Sequence, residues 1–223
     1  MSTPHEAVQL LRAADQRHQG RAHTPETGEV TAERLAAVEA HAVTIRAWNP
    51  SLIPGLLQTT RYAAAAVVTT APALPAGEVQ RRAHQRAARV DAFLTRYQNP
   101  GREAVFVIGE QSIRQPLTHA EAHRVQLRQI ANLADLPNVH VRVMPSGTPS
   151  PGRVGQCTLY ALEPPSPGLE RGQRVGYLET PVGGWYTLRS ADIALLRSAF
   201  DDMLKVALGA DDSRSLILEE LAA

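Results

Sequence analysis

Two prolines, Pro50 and Pro54, fall inside the stretch Trp48-Asn49-Pro50-Ser51-Leu52-Ile53-Pro54-Gly55-Leu56-Leu57-Gln58-Thr59-Thr60-Arg61-Tyr62-Ala63. Each fixes its own φ and drives the residue before it out of the helical region, so one helix cannot hold both. The chain is therefore expected to bend between Trp48 and Ile53. Pro54 suits the first position of a new helix, where a missing N–H costs nothing. That helix is predicted to carry Leu56, Leu57, Tyr62 and Ala63 through Val67, with small residues that allow close packing. The bend is apolar but bears Gln58, Arg61 and Tyr62. On these residues alone it suits a helix–helix corner first, and a pocket wall with inward polar groups second.

Before the bend, Thr31 is a good N-cap, and Leu35, Val38, Ala42 and Ile45 form an apolar stripe at helical spacing. Residues 5–19 read as a short helix and 21–29 as a polar linker. After the bend, Glu78 to Tyr97 is a strong helix with Val79, Ala83, Val90, Phe93, Leu94 and Tyr97 toward a core. Val105-Phe106-Val107-Ile108 is a continuous apolar run, as in a strand buried on both faces. Thr118 and Glu121 read as a capping box for a helix through Ala134. Val139 to Val143 alternates, as in a strand with one wet face. Strand, helix, strand makes one βαβ unit. Residues 157–162, 174–179 and 185–188 read as further strands, and helices follow from Ser190 and Ser213. The expected fold is α+β: N-terminal helices on a mixed sheet of about five strands containing one βαβ unit, closed by C-terminal helices. Residues 1–30 form an N-terminal helix and linker, and 31–223 a single domain.

Several of these segments carry a family resemblance. Ile53-Pro54-Gly55-Leu56-Leu57-Gln58-Thr59 followed by Tyr62-Ala63 resembles the C-terminal domain of actinobacterial XRE-type helix-turn-helix regulators, often described as antitoxin-like. Val107-Ile108-Gly109-Glu110-Gln111-Ser112-Ile113-Arg114, Gln126-Leu127, Pro137 to Pro145, and Gly176-Tyr177-Leu178-Glu179-Thr180 agree in order. The resemblance runs from about Glu33 to Leu221. It implies a regulatory domain with a small regulatory protein or a small-molecule effector as partner. The residues before it hold one helix, too little for a helix-turn-helix, which needs at least two packed helices. A DNA-reading half is therefore not expected in this sequence.

Composition narrows the chemistry. The 223 residues carry a net charge of +1, so no global field steers the chain to nucleic acid or an acidic membrane. The arginines of the 78–97 helix include a stripe at Arg82, Arg86, Arg89 and Arg96, but the neighbouring aromatics belong to the core. A solvated, salt-bridged face is the default, and no nucleic-acid partner is expected. Cys157 is the only cysteine, which excludes an internal disulfide and a thiolate cluster. No apolar run reaches the roughly 20 residues needed to span a bilayer. A cytoplasmic protein without a membrane partner is expected, with a homodimer as one possible assembly.

Two glutamates stand at predicted strand ends, Glu110 and Glu179. Were those strands neighbours, the carboxylates would share a cavity and one pKa would rise, as acid/base work requires. Arg114 could neutralise Glu110 or grip an anion. The plainer reading is a Glu–Arg pair that fixes a loop. His119 and His123 are four apart on a helix, but Ala120 stands where a zinc-protease motif needs Glu, so no metal is expected. Glycine-rich nucleotide motifs are absent, and no cofactor is expected. The ligand-binding candidates are Trp48, Gln58, Tyr62, Arg114 and Tyr177; the catalytic candidates, for an enzyme only, are Glu110 and Glu179. The reading is a small-molecule- or partner-binding module related to the sensory half of a regulator. The alternative is a cofactor-free acid/base cyclase or isomerase of specialised metabolism.

Overall fold

Ile45 lies in a strand, not in a helix. A computed structural model of the chain describes residues 3, 4, 6–9, 11, 29–149, 155–164, 172–180 and 183–222. Helix α1 (Glu29–His41) ends where strand β1 (Ala42–Asn49) begins. The stripe Leu35, Val38, Ala42, Ile45 fits a helix, but Val43, Thr44 and Ile45 are β-branched and favour the pleated chain. β1 is the strand that the expected sheet of about five lacked.

Pro54 opens only a 3₁₀ turn, Gly55–Leu57, and Gln58 is extended. The hydroxyl of Thr59 then caps α2 (Thr60–Thr70) by accepting the Tyr62 N–H. The later elements are α3 (Ala76–Tyr97), β2 (Glu103–Gly109), α4 (Glu110–Arg114), α5 (Ala120–Ala134), β3 (Val139–Met144), β4 (Cys157–Leu162), β5 (Arg174–Thr180), β6 (Gly183–Thr187), α6 (Ser190–Val206) and α7 (Ala210–Ala222). The imidazole of His119, not Thr118, caps α5 by accepting the Ala122 N–H. Ser213 sits inside α7, where its hydroxyl accepts the Val143 N–H.

The fold is α+β. Six strands form one mixed sheet in the order β3-β2-β1-β4-β5-β6. β1, β2 and β3 run parallel, and β4 to β6 continue antiparallel from β1. There are thus two strand–helix–strand crossovers, β1 to β2 as well as the expected β2 to β3. One face carries Ile45, Ala47, Phe106, Ile108, Val141, Tyr160 and Tyr177 under residues of α1, α2, α3, α5 and α7. The other carries Trp48, Val105, Val107, Cys157 and Leu159 under Ile193, Leu196, Phe200 and Met203 of α6. Cover on both faces explains why β2 reads as unbroken apolar sequence.

Residues 6–9 are helical and Ala7, Val8 and Leu11 are buried, in keeping with an N-terminal helix. Of the linker expected at 21–29, residues 21–28 lie outside the described residues and Glu29 opens α1. The Gly152-Arg153-Val154 part of the long loop and the proline-rich connection at 165–171 also lie outside the described residues. No helix among the described residues is long and apolar enough to cross a membrane.

Candidate functional site

The proline segment runs across the end of the sheet, and its polar backbone is met by side chains. Asn49 ends β1, and its Oδ1 accepts the N–H groups of Ser51 (3.3 Å) and Leu52 (2.9 Å). The Pro50 carbonyl presses on Gly109, at the end of β2: a Cβ there would stand 2.1 Å from the oxygen. Gly109 is therefore a close-approach glycine. The Ile53 N–H donates to the Tyr62 hydroxyl (3.1 Å), and the Ile53 carbonyl accepts from Gln58 Nε2 (2.7 Å). Gln126 donates to the Leu57 carbonyl and accepts the Thr59 N–H, both at 2.7 Å. A buried segment without regular structure needs such partners, because an unpaired buried amide costs about as much as a lost hydrogen bond. Gln58, Tyr62 and Gln126 are buried for this reason.

Between this segment, the sheet and α3 lies a cavity of about 90 Å³. Strand register explains the hollow. Phe106 pairs with Ala47, Ala47 with Thr158, and Thr158 with Tyr177. This row crosses four strands on one face, with two aromatic rings outside and two small side chains between. Ala47 and Thr158 leave a trough that Phe106 and Tyr177 flank. Successive rows on the same face add Ile45 and Tyr160 to one side, and Gln156 and Glu179 to the other. Glu179 is exposed and accepts a short hydrogen bond from Gln156 Nε2, so this pair marks the solvent edge.

Charge enters from α1 and α3. Glu39 is gripped by Arg89 at both oxygens, at 2.6 and 2.7 Å, and Tyr160 donates to it at 3.4 Å. Burial works against the charge on Arg89, but the Glu39 carboxylate outweighs it and raises the guanidinium pKa. Arg86, one turn earlier, differs. Its Nη1 donates to the neutral amide oxygen of Gln58 at 3.1 Å. Among the described residues it makes no ion pair at contact distance. Burial lowers its pKa, and the more distant Glu179 offsets this only in part. Tyr177 is 5 % exposed, and among the described residues its hydroxyl donates to no partner. Burial, then the Glu179 carboxylate, raises the pKa of its phenol, so it remains a neutral O–H donor.

The cavity brings together Trp48, Gln58, Tyr177 and Glu179 of the residues singled out from sequence. Trp48 borders it from β1, while its ring belongs to the core on the opposite face. Tyr62 is buried behind the segment it holds and does not line the cavity. Glu110 and Arg114 are elsewhere, and the pairing of Glu110 with Glu179 does not occur. β2 and β5 are separated by β1 and β4, so their ends are not neighbours. The Glu110 carboxylate accepts the Ser146 N–H and Arg114 Nε, both at 2.6 Å, and Arg114 also reaches Glu220 at 3.2 Å. That cluster ties the loop after β3 and helix α7 to the end of β2, the plainer reading of the two.

His119 and His123 have other partners. The first caps α5, and the second donates from Nε2 to the Ile113 carbonyl at 2.7 Å. The Arg82–Arg96 stripe is not uniformly solvated: Arg86 and Arg89 turn into the cavity wall. Glu39, Arg86 and Arg89 were not anticipated as site residues. A signal existed, since Arg86 occupies the 79-83-86-90-93-97 ladder whose other members are buried. Glu39 likewise follows Leu35 by one helical turn.

A family described as "Domain of unknown function (DUF5753)" matches residues 32–219. No curated protein matches the chain. The match spans most of the sequence, and the chain belongs to that family.

Proposed function

We propose that this DUF5753 chain is a small-molecule-binding module, related to the sensory half of an actinobacterial transcriptional regulator. The observation that supports it is the Phe106–Ala47–Thr158–Tyr177 row, which leaves a walled trough beneath Arg86 and Arg89. Binding sites combine apolar walls with a few convergent polar groups, and this cavity has that make-up. The regulator relation rests on the Ile53–Thr59 heptapeptide and the segments in order after it. A small regulatory protein remains the other class of partner that the relation suggests.

The enzyme reading has less support. It relied on two carboxylates, and Glu110 is spent on Ser146 and Arg114, far along the sheet from Glu179. Glu179 with Tyr177 is what it retains.

A thermal-shift screen of small metabolites against the wild type and Thr158→Leu tests the binding reading. Leucine at 158 fills the trough from its floor. Ligands that raise the wild-type melting temperature and leave the variant unmoved support it. The reading fails if no metabolite shifts the wild type, or if Thr158→Leu responds as the wild type does.

A further inference from the structure

We infer that the cavity takes a monoanionic carboxylate, held by the Arg86 guanidinium and the Tyr177 hydroxyl; this rests on the binding reading above. A guanidinium has five N–H donors. Arg89 commits two nitrogens to Glu39, whereas Arg86 commits one to Gln58. Arg86 and Tyr177 line the same hollow, and among the described residues the Tyr177 hydroxyl, which lies toward Gly184, has no hydrogen-bond partner. The guanidinium only donates, and the neutral phenol O–H donates to a carboxylate oxygen. An arginine fork and a phenol O–H together suit a carboxylate, whose two oxygens accept in one plane.

The formal charges of the lining cancel, but among the described residues Arg86 has no carboxylate at contact distance, and one unmet guanidinium suits a single negative charge. The lining holds two guanidiniums, Arg86 and Arg89, and two carboxylates, Glu39 and Glu179. Glu39 and Arg89 cancel at contact distance. Glu179 is exposed, paired to Gln156 and not in contact with Arg86, so a bound carboxylate would supply the counter-charge that Glu179 supplies only from a distance. A phosphate dianion would add a charge beside Glu179 with no cation left to meet it.

Size limits the buried portion. A cavity of roughly 150 Å³ holds benzene, and this one is about 90 Å³. A carboxylate head on a short stem fits, and any larger body must leave past Gln156 and Glu179. A cationic or donor group on that body would meet Glu179 at the rim.

The test is calorimetry and thermal shift with matched series: short-chain and aryl monocarboxylates, their primary amides, and inorganic phosphate. Each is run against the wild type, Arg86→Gln, Arg86→Lys and Tyr177→Phe, with the unliganded melting curve of each variant confirming that it folds. The expected result is carboxylate binding to the wild type, little binding of amides or phosphate, and a loss of about tenfold or more in Arg86→Gln. Arg86→Lys should recover part of the affinity, and Tyr177→Phe should lose part. Amides that bind as well as acids, or Arg86→Gln with unchanged affinity, overturn the carboxylate inference and leave the binding module standing. Phosphate binding above carboxylate also overturns it. Should neither acids, amides nor phosphate bind, and the wider metabolite screen also be silent, both fall together.

Discussion

Arg89 and Glu39 meet through two parallel hydrogen bonds of 2.6 and 2.7 Å, across 50 residues of sequence. Their side chains are 15 % and 8 % exposed. The pair fastens α3 to α1 over the end of the cavity. Removing two charges from water is costly, and only a fork-to-fork geometry with further hydrogen bonds offsets that cost. Tyr160 supplies a further bond.

Breaking this pair from one side should therefore be severe. Glu39→Gln leaves a buried guanidinium without its counter-charge and should cost about 3–5 kcal/mol in urea unfolding. Replacing both partners, as Glu39→Leu with Arg89→Leu, should cost much less than the two single changes summed. Additive losses would refute the buried-pair account.

Gly109→Ala should destabilise by about 1–3 kcal/mol, the range for forcing a methyl into a filled site. The obstacle is the Pro50 carbonyl oxygen, 2.1 Å from the new Cβ. Gly77, in the first turn of α3, has nothing within 4 Å of an added Cβ. Gly77→Ala should raise stability by up to about 0.5–1 kcal/mol through helix propensity. Equilibrium denaturation of the two variants should move in opposite directions.

Cys157 is 1 % exposed, and burial pushes its thiol pKa up to about 11. The thiolate is the reactive species, so the native protein at pH 8 should resist thiol reagents. Labelling should follow unfolding in denaturant. Rapid modification of the native protein would contradict this placement.

The Glu110 carboxyl is held below its usual pKa by the Ser146 N–H first and by Arg114 second. Its contribution is therefore fully present above the unfolded-state value, about 4.3, and is lost as pH falls through the lower folded-state value. Glu110→Gln should remove part of the acid sensitivity of the wild type below pH 5. Unfolding free energies measured from pH 6 to pH 3 should converge for the two proteins at the acid end.

Much of the fold was legible because its signals are local. The run Val105 to Ile108 and the alternation Val139 to Val143 match strands β2 and β3. β1 was missed because Leu35, Val38, Ala42 and Ile45 satisfy a helical period across a helix–strand junction. The bend was placed correctly, but Gln58 and Tyr62 could not be assigned from sequence. Their partners are the carbonyl and N–H of Ile53, and a side chain serving buried backbone looks the same in sequence as one serving a ligand. The site was legible only in part, because strand order is set by pairing over long separations. Nothing local says that β1 and β4 lie between Glu110 and Glu179. Arg86 in an otherwise buried ladder was the readable clue.

The sheet order has a bearing on biosynthesis. β1 emerges early from the ribosome, yet one of its two edges stays open until residues 157–162 have been translated. During that interval Ala42 to Asn49 offers an adhesive border to any other extended peptide. A nascent polypeptide stalled before residue 157 should clump through that border, while the completed product, with both sides of the strand occupied, should not.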